Sequence, residues 1–548
     1  MSPVASLGRI AAVAHEPGAE DAAGLIELVL LLLVAATALA IVARRLGLPY
    51  PILLVLGGLG LGAIPGLPRV ELPPELVFLL FLPPILFAAA YFTSVRDFKA
   101  NLRPIGLLAV GLVLFTTVVV AVVAHALIPE LGWPAAFTLG AIVAPPDAVA
   151  ATAILQRLGV PRRIVTILEG ESLINDATAL VAYRFAVAAV MTGAFSLVDA
   201  GLSFVVVAVG GVVFGLVAGW LIREITTRVD DPVFSTVLSF LAPAAAYVPA
   251  EQLGVSGVLA TVVAGIILGR SASRGLSSVV RVASGAAWSV LLFLINGAVF
   301  ILIGLQLPSV LEGLAGRPPG QLAFLAVAVS ASAILARIAW VFPATYLPRW
   351  ASPKLRERDP YPPTRNVLLV SWAGMRGVVS LAAALALPLT LPSGEPFPER
   401  NLLIFLTFAV ILATLVGQGL TLPLLIRLLR IAPDRGEDHD EAHARLYLAE
   451  AAVERIGRME TQWAGHRELT DRLKADYLHR AQHLEAKHDE SPRDDAELER
   501  LEHREIREAV IEAEREALLR LHERGAVSDE VFRRIERDLD LEALRMDV

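Results

Sequence analysis

Glu171, Ser172, Asn175 and Asp176 fall within one apolar run, residues 163–190, which also carries Glu169 and Arg184. Glu171 and Asn175 are four apart, and so are Ser172 and Asp176. A helix sets these neighbouring rows side by side, so carboxylate, hydroxyl, amide and carboxylate share one face. Hard oxygen groups of this kind suit small alkali or alkaline-earth cations rather than zinc or copper. No histidine lies in the run, and cysteine is absent from the chain. That removes thiolate catalysis, disulfides and cysteine metal sites from consideration. The run has the length and apolarity of a membrane-spanning helix. Each charge near a bilayer centre costs at least about 2.5–3.5 kcal/mol on insertion scales, so a helix carrying several of them has a use for them.

Two other apolar runs break their own rules. Val143-Ala144-Pro145-Pro146-Asp147-Ala148-Val149 places two prolines in mid-span. They remove two backbone donors, clash with the preceding turn and free its carbonyls. Unwound backbone at membrane depth is tolerated only where it is buried in protein or lines a cavity. Asp147 follows the break directly and is also placed to cap the second half-helix. Ser371-Trp372-Ala373-Gly374-Met375-Arg376-Gly377-Val378-Val379-Ser380 sets an arginine between two glycines. Arg376 keeps its proton and needs an acidic partner. Counting intramembrane charges sets Asp147, Glu169, Glu171 and Asp176 against Arg184, Arg337 and Arg376. Purely structural pairing would use all three bases and leave one acid over. A buried carboxylate without a cationic partner takes up a proton nearer neutrality than one in water. Such a group holds a proton or a cation, not favourably both, which is the logic of an antiporter.

The elements that must position these groups are apolar and many. The chain has 548 residues, 55% of them hydrophobic. Residues 24–430 are apolar segments broken by short loops, and residues 431–548 are densely charged. The net charge of −7 sums these two unlike regions and identifies no partner. Thirteen spans are expected, at about 24–43, 48–65, 74–92, 104–128, 134–156, 163–190, 200–222, 233–249, 254–269, 286–307, 321–347, 364–389 and 401–429. Pro243 and Pro249 interrupt the eighth, and Gly57, Gly58, Gly60 and Gly62 thin a face of the second for close packing. Alternate loops carry Arg44, Arg45, Arg96, Lys99, Arg103, Arg157, Arg162, Arg163, Arg223, Arg228, Arg270, Arg274, Arg281, Arg349, Lys354, Arg356, Arg358 and Arg365. The other loops hold little beyond Arg69, Arg317 and Arg400. The positive-inside rule then sets the tail in the cytoplasm and the N-terminal segment, 1–23, outside, in a multi-pass protein of the cell membrane. That segment lacks a basic start followed by an apolar run, so no cleaved signal peptide is expected. Spans five and twelve are seven apart and occupy equivalent positions if two six-helix halves flank span seven. Interrupted segments at matching positions are the sequence pointer to a transport site.

These residues carry a family resemblance. Glu171-Ser172-Leu173-Ile174-Asn175-Asp176 resembles the Asn-Asp signature of the monovalent cation/proton antiporters, in the sodium/proton exchanger branch. Phe81-Leu82-Pro83-Pro84-Ile85-Leu86 with Tyr91-Phe92 is similar to that family's third-helix motif, and Pro146-Asp147-Ala148-Val149-Ala150 to its unwound fifth helix. Phe300-Ile301-Leu302-Ile303-Gly304-Leu305 and Gly374-Met375-Arg376-Gly377-Val378-Val379-Ser380-Leu381 match later motifs, in order, across residues 24–430. The resemblance implies an all-α polytopic membrane protein of about thirteen helices in two inverted repeats, with helices five and twelve unwound and crossing. It implies a homodimer in the lipid bilayer. It implies electroneutral exchange of Na+ for H+, without a cofactor or enzymatic chemistry, for pH and sodium homeostasis. On that pattern Asp176 binds cation and proton in turn, and Ser172 and carbonyls near Pro146 help coordinate. Asn175 and Asp147 order the site, and Arg376 pairs with Glu171. Two departures bear on ion preference. Ala88 stands where many relatives carry an acid, and Pro146 where they often carry a hydroxyl residue. Glu169 and Arg184 are extra charges, and an ion pair between Arg184 and an acid of another helix is expected. Li+ accompanies Na+ in this reading, K+ is the alternative ion, and a membrane-embedded sensor without transport is the reading from another class.

In the tail, Ser491-Pro492-Arg493-Asp494 and Ser528-Asp529-Glu530 resemble helix starts, with Gly525 as a stop, so three helices in a bundle or coiled coil are expected. Eight of the ten histidines lie there, His439, His443, His479, His483 and His488 among them, in an otherwise ordinary charged helical tail. It has no nucleotide-binding glycine loop, nucleic acid is not an expected partner, and the sequence does not identify what the tail binds.

Overall fold

The structure is a computed structural model that describes residues 19–64, 77–193, 197–229, 231–314, 316–431, 435–459, 466–488, 494–524 and 529–546. Residues 1–18, Arg69, Ser491-Pro492-Arg493, Gly525 and Ser528 lie outside them, as do the side chains of His439, His483 and His488. The chain divides into two compact units at Pro433/Asp434.

Proline and glycine set most of the helix limits in the first unit. The helices are α1 (Ala19–Leu46), α2 (Tyr50–Gly62), α3 (Leu82–Phe92), α4 (Leu102–Leu127), α5a (Trp133–Val143) and α5b (Ala148–Arg157). They continue with α6 (Arg162–Thr192), α7 (Leu197–Thr226), α8 (Pro232–Gln252), α9 (Gly257–Gly275), α10 (Ser278–Leu305) and α11 (Pro319–Ala351). The unit closes with α12a (Thr364–Trp372), α12b (Val378–Leu385) and α13 (Arg400–Leu428). Pro51, Pro134 and Pro232 sit in the first turns of α2, α5a and α8, where a missing N–H costs nothing. Asp231, Ser256 and Ser277 cap α8, α9 and α10 through side-chain oxygens. Pro243 and Pro249 do not break α8, which runs continuously through both.

Among the described residues, eight helices are long and apolar enough to cross a membrane, and three shorter apolar ones accompany them. Length and composition alone thus identify eight of the expected thirteen spans. The halves of the broken twelfth span have 9 and 8 residues, too few to cross by themselves.

Packing sorts the helices into two groups. One is α1–α3 with α7–α10, and the other is α4–α6 with α11–α13. They meet where α6 lies against α3, α7 and α9, and where α12b lies against α10. Within the first group, α2 and α10 touch backbone to backbone. A Cβ on Gly58 would stand 2.2 Å from the Ile301 carbonyl oxygen, and one on Gly304 would stand 2.3 Å from that of Val55. Gly60 faces open space and Gly57 faces Leu39 of α1, so the α2 glycines serve two neighbours rather than one face. The outward side of α7, including Val205, Val209, Leu216 and Trp220, is exposed and apolar.

Among the described residues the second unit has four helices rather than three: α14 (Arg435–Met459), α15 (Arg467–His488), α16 (Asp494–Glu523) and α17 (Asp529–Met546). They pack as two pairs, α14 with α15 and α16 with α17. The stretch between Met459 and Arg467 has no proline, so the charged, leucine-bearing pattern reads as unbroken. The α16/α17 pair buries Ile511, Leu518 and Leu539 and is bridged by Arg515 and Asp540 at 2.6 Å.

Candidate ion-binding site

The fifth and twelfth spans are both unwound, over 144–147 and 373–377. Pro145 and Pro146 cause the first break, and the glycines permit the second. The two unwound stretches cross in direct contact, because the backbone N–H of Asp147 donates to the Met375 carbonyl at 2.6 Å. Gly377 is required at the crossing, since a Cβ there would lie 2.0 Å from Asp147 Oδ2. Gly377→Ala must displace either the Asp147 carboxylate or the second half of span twelve. Overpacking of this kind costs about 1–3 kcal/mol. Exchange in membrane vesicles is expected to fall at least about tenfold for that displacement, and activity equal to the parent would contradict the crossing geometry.

Buried side chains satisfy the carbonyls freed by the breaks. Arg376 donates through Nε to the Val143 carbonyl at 3.1 Å, through Nη2 to that of Ala333 at 3.3 Å, and through Nη1 to that of Gly374. Its own backbone N–H donates to Thr414 Oγ1 at 3.0 Å. Asn175 Nδ2 donates to the Pro146 carbonyl at 2.7 Å. A guanidinium and an amide thus replace the lost donors of the helix ladder.

This arrangement overturns the expected Glu171–Arg376 pair. Glu171 is held by Arg337 of α11, Oε1 at 2.5 Å from Nη1 and Oε2 at 2.8 Å from Nη2, with both side chains about 1% exposed. Arg337 Nε donates to the Val370 carbonyl at 3.1 Å. The physical reason is that Arg376 is fully engaged by backbone carbonyls. Arg337 presents its planar fork edge-on to the carboxylate, the geometry of a bidentate pair. The expected partner for Arg184 exists and is Glu251 of α8, at 2.6 Å, an acid that the charge count omitted because it lies at a span end. Glu169 accepts from Gln156 Nε2 at 3.2 Å.

The count of one unpaired acid is therefore corrected to three: Glu169, half-buried and hydrogen-bonded to Gln156, and Asp147 and Asp176 beside the crossing. Among the described residues neither Asp147 nor Asp176 takes part in an ion pair. Asp147 caps α5b, its Oδ1 accepting from the Val149 N–H at 2.8 Å, and Ser172 Oγ accepts from the Ala148 N–H at 3.4 Å. The positive end of α5b therefore points at this cluster. Asp176 is 7% exposed, and among the described residues no hydrogen bond occupies its carboxylate. The free oxygen of Asn175, Oδ1, and the Ser380 hydroxyl on α12b are buried without partners. The structure thus brings Pro146, Asp147, Ser172, Asn175 and Arg376 together at the crossing. Asp176 lies one helical turn beyond Ser172, and Glu171 is tied to α11. Sequence reasoning missed Glu251, Thr414 and Ser380, and of these only Ser380 stood inside a motif that could have drawn attention to it.

Broken helices crossing within a bundle of apolar helices of membrane-spanning length, with half-helix ends and oxygen groups converging there, are the arrangement of a secondary transporter. The family described as sodium/hydrogen exchanger, transmembrane, matches residues 29–428, and the chain belongs to it. An uncharacterized Na+/H+ exchanger of Mycobacterium tuberculosis is 37% identical over 525 residues, covering 94% of this chain and 96% of its own. A sodium, potassium, lithium and rubidium/H+ antiporter of Bacillus subtilis is 35% identical over 496 residues, 88% of this chain and 72% of its own. The solved sodium proton antiporter MjNhaP1 of Methanocaldococcus jannaschii shares the fold, with a TM-score of 0.57 and 20% identity over 72% of this chain and 98% of that one.

Proposed function

We propose that the protein exchanges Na+ for H+ one for one, with Asp176 binding the two in turn. The observation that carries this is the charge inventory of the crossing. Glu171 and Arg337 cancel as a closed pair, which leaves Asp147, Asp176 and Arg376. With both acids ionised, these three sum to one negative charge. One monovalent cation balances it, and so does one proton. The loaded site is neutral either way, so both half-cycles move the same charge and the membrane voltage drops out.

Ser172, the Pro146 carbonyl and Asn175 Oδ1 supply neutral oxygens beside the carboxylates, the hard donors that an alkali cation prefers. Asp147 shapes the site as the cap of α5b, and Arg376 holds the two breaks in register. The Pro146 carbonyl serves where many relatives offer a hydroxyl, and with Ala88 in α3 the ion's oxygen ligands come from the break in span five and from α6. Exchange of K+ or Li+ is the second reading. It is favoured by the Bacillus relatives, whose names include both ions at 35–38% identity.

The reading extends to the cell membrane, with the loops rich in arginine and the 434–548 unit in the cytoplasm. It also includes a homodimer, for which the exposed apolar side of α7 is an available surface. The test is an imposed pH gradient in everted vesicles. Adding Na+ should collapse it across about pH 6–9, a window that brackets a buried carboxylate, and titration with Li+ and K+ ranks the ions. In a planar bilayer or on a solid-supported membrane, sustained current during exchange would contradict the one-for-one stoichiometry, and the absence of saturable flux would leave only a sensor.

A further inference from the structure

A cavity of about 320 Å³ opens between α4, α6, α11 and the segment leading into α12a. None of Asp147, Ser172, Asn175 or Asp176 lines it. One wall is cationic. Arg103, Arg163 and Arg349 each reach the Asp359 carboxylate at 2.7 Å. Arg163 Nε also donates to Asn101 Oδ1 at 3.0 Å, and Arg349 Nε to the Asp359 carbonyl at 3.0 Å. The neighbouring Arg162 is matched by Asp97 at 3.1 Å and adds no net charge.

Burial pushes the Asp359 carboxyl up, but the hydrogen bond from Arg163 and the charges of Arg163, Arg349 and Arg103 outweigh it, so its pKa lies below the ordinary carboxylate value. Asp359 is therefore an anion at neutral pH, and its contribution to stability is lost only on acidification through that lowered value. Three guanidinium groups around one carboxylate leave two positive charges in excess. Arg103 Nη1 is buried and has no acceptor. The remaining walls are mainly apolar, formed by Leu107, Ile164, Val341 and Val367 with the prolines that flank Tyr361, and Thr345 and Asn366 add two polar side chains.

We propose that this cavity holds the phosphate of an anionic glycerophospholipid, with the start of its acyl chain along the apolar wall. A phosphate diester suits the planar forks of Arg103 and Arg163, which share one carboxylate with Arg349. Its charge offsets the local excess, and an acyl chain covers the leucine and valine surface, which a free inorganic anion would leave wet. The volume is near the lower end of ligand pockets, so it takes a headgroup and a chain segment rather than a whole lipid. The bilayer is also the source nearest to these arginine-bearing loops, where each basic residue contributes about fivefold to the binding of an anionic lipid.

The experiment is native mass spectrometry of the full-length protein, extracted from vesicles of phosphatidylglycerol and phosphatidylcholine or of phosphatidylcholine alone. Retention of phosphatidylglycerol is expected. It should fall about fivefold in Arg103→Gln and in Arg163→Gln. It should also fall in Val341→Trp, which fills the cavity and leaves the arginines in place. Arg163 is half-exposed, so its variant carries the test if Arg103→Gln does not fold. Retention unchanged in both Arg163→Gln and Val341→Trp overturns the proposal. So does displacement of the lipid by millimolar inorganic phosphate with no loss in Val341→Trp, which would mark a site for the free anion.

Discussion

Replacing Asp176 with asparagine is expected to reduce the Na+-dependent collapse of a pH gradient to the level of protein-free vesicles. The change preserves shape and one oxygen, so the helix and its packing persist. On the proposed mechanism it removes the group that a proton and a cation can both neutralise. Asp176 is buried, and among the described residues neither an ion pair nor a hydrogen bond engages its carboxylate, so the substitution breaks no structural contact. Thermal stability should therefore be equal to the parent or higher, because an uncompensated buried charge is lost. Asp147→Asn is the informative companion. Asn caps helices as well as Asp does, so α5b should persist. Its loss of exchange should be large but incomplete, because Asp176 still titrates while Arg376 now balances it and the loaded site carries one positive charge. Parent-like exchange in Asp176→Asn would remove Asp176 from the mechanism. Equal loss in both variants would mean that the two acids work as one unit.

The second large effect is expected on stability. Glu171→Gln leaves Arg337 charged, about 1% exposed and without its carboxylate. Breaking a buried pair from one side costs about 3–5 kcal/mol. Arg337→Met should cost a similar amount, because Glu171 is then the stranded charge and the Val370 carbonyl loses its donor. The double variant Glu171→Leu/Arg337→Met should lie closer to the parent than either single variant, since no stranded charge is left. Survival of dispersed protein after heating, read by size-exclusion chromatography, measures all three. Strict additivity of the two single changes would show that they do not form a closed pair. Exchange in the double variant should persist at a reduced rate, because the pair braces α6 against α11 and is not a ligand.

Much of this architecture was legible because its causes are local. Pro145-Pro146 cannot continue a helix, and an arginine between Gly374 and Gly377 marks a second irregular stretch, so both breaks could be read from residue types alone. The alternation of basic loops depends only on counting and gave a consistent set of spans. Partner choice was not legible. Arg337 and Arg376 are chemically identical, and only the fold reveals that backbone carbonyls surround one while a carboxylate faces the other. Charge counting assumed that bases seek acids, but a broken helix offers carbonyls that compete for the same donors. Glu251 was passed over because a span end looked solvated, yet it also accepts from the Gly257 N–H at 3.0 Å. The fourth tail helix was hidden because its junction lacks proline.

The bonds across the crossing have a mechanical consequence. Asp147 N–H to the Met375 carbonyl and Arg376 Nε to the Val143 carbonyl rivet the two broken spans into one joint. Displacing either broken span strains both bonds, so the two breaks are coupled as a pair. The two groups of helices meet along the seam where α6 lies against α3, α7 and α9. The Arg184–Glu251 pair straddles that seam and ties α6 to α8.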